Sequence, residues 1–75
     1  MDKKIIEIAA SAMKITTEEA EKHYKEIPEI NAYYFWVPMR GGVSVIVNSQ
    51  GEKLGATSSV NFERHLQAFI DGRRN

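Results

Sequence analysis

Three β-prone segments follow one another between Ala32 and Thr57, and the connections between them are too short for a crossover. Ala32 to Val37 is aromatic and ends at Pro38, Val43 to Val47 is almost entirely β-branched, and Lys53 to Thr57 is a short third segment. Parallel strands need a connection of about a dozen residues or more, whereas hairpin loops need only a few. Consecutive pairing in an antiparallel meander is therefore the arrangement these spacings allow. Asn48, Ser49, Gln50 and Gly51 suit a type I turn with glycine in the left-handed position, which closes the second hairpin. Arg40, Gly41 and Gly42 make the first connection.

A sheet of this kind must bury a face, and the flanking sequence supplies helices. In the first stretch Ile5, Ile8 (or Ala9), Ala12 and Ile15 recur at helical spacing, with Asp2 placed to cap the free N–H groups. The pattern restarts at Thr16, whose spacing to Glu19 is that of a capping box. A second helix is expected to run from there through Ala20 and Tyr24 to Ile27, where Pro28 stops it, with Glu18–Lys22 and Glu21–Lys25 pairs on its wet side. A single bent helix is the alternative. At the other end Ser58 or Ser59 is expected to cap a last helix carrying Phe62, Leu66, Phe69 and Ile70. Gly72 lies at its C′ position and Arg73 and Arg74 at its negative end. The expected order is α-α-β-β-β-α: an α+β class, a three-stranded antiparallel meander packed by N-terminal helices and a C-terminal helix, in one small domain spanning residues 1–75.

Composition narrows the function classes. Ten Lys plus Arg balance ten Asp plus Glu, so no overall field draws the chain toward nucleic acid or an anionic membrane. Residues 1 to 30 hold five lysines against seven acids, and residues 31 to 75 hold five basic residues against three acids. This asymmetry is too small to mark a polyanion-binding module. There is no cysteine, which removes disulfides, thiolate metal sites and cysteine nucleophiles. No apolar run is long enough to span a bilayer and no secretory leader pattern opens the chain, so a soluble, cytoplasmic location is expected. A core this small leaves little room for a water-excluding catalytic cavity, so no enzymatic activity and no cofactor are expected.

Alternation along the strands then selects candidate residues. With Phe35, Val37, Val45, Val47, Leu54 and Ala56 under the helices, the other face holds Tyr34, Trp36, Ser44, Ile46 and Thr57. Helices from so short a chain are expected to leave that face open. Tyr34, Trp36 and Ile46 are then partner-binding anchors, with Arg40 as a charged contact at the rim. The opposite register, with Tyr34 and Trp36 in the core, is the competing reading. A homodimer through the open face, or a nucleic-acid surface on which the aromatics stack, are the other uses of the same residues.

Other constellations carry weaker chemistry. His23 and His65 lie on different expected helices. A metal site with Glu19 or Glu63 is conceivable, since i, i+4 spacing puts Glu19 on the same helical side as His23, but lone histidines beside helical carboxylates are mostly solvated, and no metal site is expected. Ser58 or Ser59 with His65 and Asp71 lacks the strained elbow that presents a nucleophile. Arg40-Gly41-Gly42 can cradle an anion, although a conformational role for the glycines is simpler.

From Trp36 to Phe69 the chain resembles a known family. The order of an aromatic strand, Gly42-Val43-Ser44-Val45-Ile46-Val47, a turn at Gly51, a strand through Gly55 and Phe62, Glu63, Leu66 and Phe69 on a closing helix is similar to the YrhB-like domain. The family's glycine-asparagine-x-proline entry to the second strand is replaced here by Arg40-Gly41-Gly42. The resemblance implies a small bacterial immunity protein that works by binding another protein, with no catalytic residues to carry over.

Overall fold

The computed structural model describes residues 2–38, 42–57 and 59–74. The class is α+β, with a four-stranded antiparallel sheet and three α-helices. Helix α1 spans Lys3–Met13 and α2 spans Thr17–Lys22; strands β1 (Tyr24–Ile27), β2 (Ala32–Trp36), β3 (Val43–Asn48) and β4 (Lys53–Thr57) follow, and α3 (Phe62–Ile70) closes the chain. Each strand pairs with the next, in the order β1-β2-β3-β4.

The N-terminal break forms where the pattern restarts. Asp2 Oδ1 accepts from the Lys4 N–H at 2.9 Å to start α1. Lys14 ends the helix in the left-handed region at φ 58°, and its N–H returns to the carbonyls of Ala10 and Ser11. Thr16 then caps α2, its hydroxyl accepting from the Glu19 N–H at 3.2 Å. A non-glycine residue held in the left-handed region costs roughly 1 kcal/mol. Lys14→Gly is therefore expected to raise stability by about 0.5–1 kcal/mol in urea unfolding. A loss of stability would mean that the Lys14 side chain contributes more than its backbone costs.

The second helix is shorter than its charge pattern suggests. It ends at Lys22, and Tyr24–Ile27, expected to continue it, is instead the fourth strand. Pro28 cannot extend a helix and disfavours helical backbone at Ile27. A 3-10 turn, Pro28–Ile30, with Asn31 at φ 52°, reverses the chain so that Tyr24 pairs with Phe35 and Ile27 with Ala32. Lys25 thus leaves the helix, and the expected Glu21–Lys25 and Glu18–Lys22 pairs are replaced by one exposed Lys22–Glu19 contact at 3.7 Å.

Both faces of the sheet are covered, which overturns the expectation of one open face. Ile5, Ile6, Ala9, Ala10 and Met13 of α1 and Ala20 of α2 pack on Phe35, Val45 and Val47. Across the sheet, Phe69 of α3 packs with Ile27, Ala32 and Ile46, flanked by Leu54 and Leu66. The α1 stripe differs slightly from the expected one: Ala12 is exposed and Met13 takes its place. In α3 the buried positions are His65 and Phe69, while Ile70 is 53% exposed.

The face assignment for β2 and β3 matches the alternation, but β4 is shifted by one residue. Leu54 pairs with Ile46 and Ala56 with Ser44, placing both on the α3 face, whereas Thr57 pairs with Val43 on the α1 face. The β3–β4 turn forms as expected. Gly51 sits at φ 86°, its N–H bonds the Asn48 carbonyl at 3.0 Å, and Asn48 Oδ1 accepts from the N–H groups of Gln50 and Glu52.

The cap of α3 is not a serine. Asn61 Oδ1 accepts from the Arg64 N–H at 2.8 Å; Ser59 pairs instead with the Thr57 hydroxyl, and Ser58 lies outside the described residues. The other end ends as the sequence suggests: Gly72 takes φ 97°, and the Arg74 guanidinium lies over the Phe69 ring while donating to the Phe69 carbonyl at 2.7 Å. No helix among the described residues is long and apolar enough to cross a membrane.

Candidate partner-binding groove

Strand β2 is extended, so Tyr34 and Trp36 project from the same face, two residues apart. That face meets α3, a nine-residue helix whose Phe69 packs with Ile27, Ala32 and Ile46 and whose His65 reaches Ser44 and lies edge-on to Tyr34. Its first turn, at Phe62, packs against Tyr34. There the surface folds into an open groove of about 500 Å³. The side chains of Tyr34 and Trp36 form its floor, Val60 and Phe62 line it, and the strand ends at Val37 and Val43 border it although their side chains pack on the α1 side.

The aromatic rings brace one another. Tyr34 and Trp36 stack with centroids 5.7 Å apart and planes 26° from parallel. Phe62 meets Tyr34 edge-on at 4.8 Å, and His23 lies 5.9 Å from Trp36 on its far side. Offset stacks and edge-to-face contacts are the favoured geometries for ring quadrupoles, and rings held this way lose little rotamer freedom when something docks on them. Trp36 and Tyr34 are half-buried, so each keeps part of its surface for another molecule.

Polar groups are few. Lys25 reaches the rim from β1 with its Nζ 4.3 Å from the centre of the Phe62 ring. Asn61 lines the groove but spends its side-chain oxygen on the helix cap. Ser44 lines it too, with its hydroxyl 3.1 Å from His65 Nδ1.

The Ser44–His65 pair joins helix to sheet. His65 Nε2 lies 2.6 Å from the Leu54 carbonyl, which can only accept, so Nε2 carries a hydrogen. In the neutral ring Nδ1 is then bare and accepts from the Ser44 hydroxyl. Both ring nitrogens and the hydroxyl are thereby used within a side-chain cluster that is almost wholly buried. A buried polar group costs stability unless it is paired, and here each one is. Serine and base are within proton-transfer reach, but the hydroxyl sits in mid-strand and serves as the fastening of α3.

The four expected anchors are not equivalent. Tyr34 and Trp36 come together on the groove floor. Ile46 does not join them: it has no exposed surface and lies beneath α3. A second helix layer covers the centre of that face, so Ile46 is a core residue and not an anchor. Arg40 lies outside the described residues. Two groove residues escaped the sequence reading. The helical spacing puts Lys25 on a helix's solvent face, and the apolar stripe of the last helix puts Phe62 in the core. Pro28, which disfavours helical backbone at Ile27, is the available signal against a helix there, since Tyr24-Lys25-Glu26-Ile27 does not alternate.

The weaker constellations separate in space. Ser59 hydrogen-bonds Thr57, His65 faces Ser44 and Leu54, and Asp71 accepts from Gln67 at 3.0 Å, so the three do not converge. Among the described residues no group of three or more His, Asp or Glu side chains is disposed to hold a metal ion. No protein-family model, curated protein or solved structure matches the chain.

Proposed function

We propose that the chain is a small, non-enzymatic protein-binding module that uses the groove beside Tyr34, Trp36 and Phe62 to seat a partner and block it sterically. The observation that carries this reading is a braced, half-buried tryptophan on the floor of an otherwise apolar groove at the edge of a helix. Tryptophan and tyrosine dominate binding energetics where they fill or line such a depression. The similarity of residues 36–69 to YrhB-like proteins supports a bacterial, cytoplasmic toxin-neutralising role within this class. Arg40, two residues after Pro38, is proposed as the rim contact in that role.

The test is selection of phage-displayed dodecapeptides on the immobilised chain, followed by titration of the enriched peptides. Trp36→Ala is expected to weaken binding by about 2 kcal/mol, roughly 30-fold, while circular dichroism and the unfolding midpoint stay near the wild-type values. Unaltered affinity in a folded Trp36→Ala chain would refute the assignment. Salt distinguishes the nucleic-acid alternative: a polyanion site loses roughly a thousandfold or more between about 50 and 200 mM salt, and this groove should change by less than about tenfold.

A further inference from the structure

We infer that the groove selects an apolar side chain flanked by a carboxylate, so that the partner presents an acidic peptide segment bearing an aromatic or large aliphatic residue. The inference rests on the groove being the partner site and specifies what enters it. Apart from the neutral polar residues Ser44 and Asn61 its described lining is apolar, and Lys25 is the one charged residue among the described residues that line it. No described carboxylate lines the groove, and Lys25 makes no ion pair among the described residues.

The position of that ammonium decides the sign of the ligand. Three rings around a depression can hold a cation by the negative faces of their π-systems. Here that role is already filled, because Lys25 Nζ lies 4.3 Å from the centre of the Phe62 ring. A second cation would meet like charge at short range, which is a built-in rejection of Lys- or Arg-bearing segments. An ammonium has three donors and a ring face engages only one side of it, so the remaining N–H groups point to solvent and to whatever docks. A ligand carboxylate there gains a charge-assisted hydrogen bond beside apolar walls, where screening is weaker than on an open surface. Since the whole chain carries no net charge, the preference is local to the rim.

Trp36 is the only tryptophan and lies on the groove floor, so its emission reports occupancy directly. The probe is the dodecapeptide library, with tryptophan-free clones resynthesised as capped peptides. Enriched clones are expected to carry Phe, Leu, Ile or Met within two residues of Asp or Glu. Exchanging that acid for its amide should weaken binding about fivefold. Lys25→Gln should abolish the acid preference, and Lys25→Glu should turn it toward Lys and Arg; both changes fall on an exposed edge-strand position, and circular dichroism checks the fold. Clones enriched for apolar residues without acids, or an acid preference that survives Lys25→Glu, would overturn this inference and leave the groove as the docking site. Clones that bind Trp36→Ala as well as wild type would overturn the groove itself. Concentration-dependent self-association that shifts Trp36 emission would overturn the inference by making a second copy the occupant.

Discussion

Truncating Ile46 to alanine is expected to destabilise the domain by about 2–5 kcal/mol, the range for deleting a buried branched side chain whose surroundings cannot collapse. The side chain has no exposed surface and is held between strands on either side and α3 above, with Ile27, Ala32 and Phe69 around it. Domains of this size have a total stability of roughly 4–11 kcal/mol, so the variant should sit near the edge of folding. Thermal unfolding should show a midpoint at least about 10 °C lower. An Ile46 that lay on a bare sheet face, as strand alternation alone suggested, would lose less than about 1 kcal/mol. The same experiment on Trp36→Ala provides the contrast, since its effect should fall on binding and leave the unfolding midpoint largely in place.

The second large effect concerns the fastening between α3 and the sheet. His65→Leu keeps much of the buried volume but strands the Ser44 hydroxyl and the Leu54 carbonyl, both bonded to the ring in the native chain. Each abandoned buried partner costs about 1–3 kcal/mol, and the expected total for the two is about 2–6 kcal/mol. Ser44→Ala in the His65→Leu background should then recover part of the loss, because the orphaned hydroxyl is gone. A double-mutant cycle in urea is expected to show a coupling of about 1–2 kcal/mol. Strict additivity would mean that the hydroxyl and the ring are neighbours without an energetic bond.

These two residues also show where sequence patterning stops being informative. The spacing of Val43, Val45 and Val47 fixes which side chains share a face, and Asp2, Thr16, Gly51 and Gly72 mark turns and caps by chemistry that acts within a few residues. Those features were legible because their causes are local. The side of the sheet on which α3 docks is a different kind of fact. Its apolar stripe fits either face, and contacts far apart in sequence, such as the Ser44–His65 bond, fix the choice between them.

The missing first strand has a similar origin. Glu18, Glu21, Lys22 and Lys25 satisfy the helical i, i+4 rule on paper, and Tyr24-Lys25-Glu26-Ile27 has no period-2 alternation to set against it. Pairing with the aromatic strand β2 outweighs a few exposed ion pairs worth tenths of a kcal/mol each. The slip in β4 follows from Glu52 and Gly51 occupying the turn, which sets the register from the loop instead of from the apolar pattern. Of the groove, the floor was readable from β2, but its depth was not, since depth depends on where a nine-residue helix ends.

The sheet order has a kinetic meaning. Because every strand lies beside its immediate neighbour along the chain, each hairpin closes only a short loop, and the entropy lost in bringing ends together stays small. Such a ribbon can zip in sequence without a distant search, and local pairings of this kind go with rapid folding. What zippering cannot do by itself is clothe the two surfaces it creates. That falls to the terminal helices, which lie on opposite sides, so each sheet face depends on a different end of the chain for its cover.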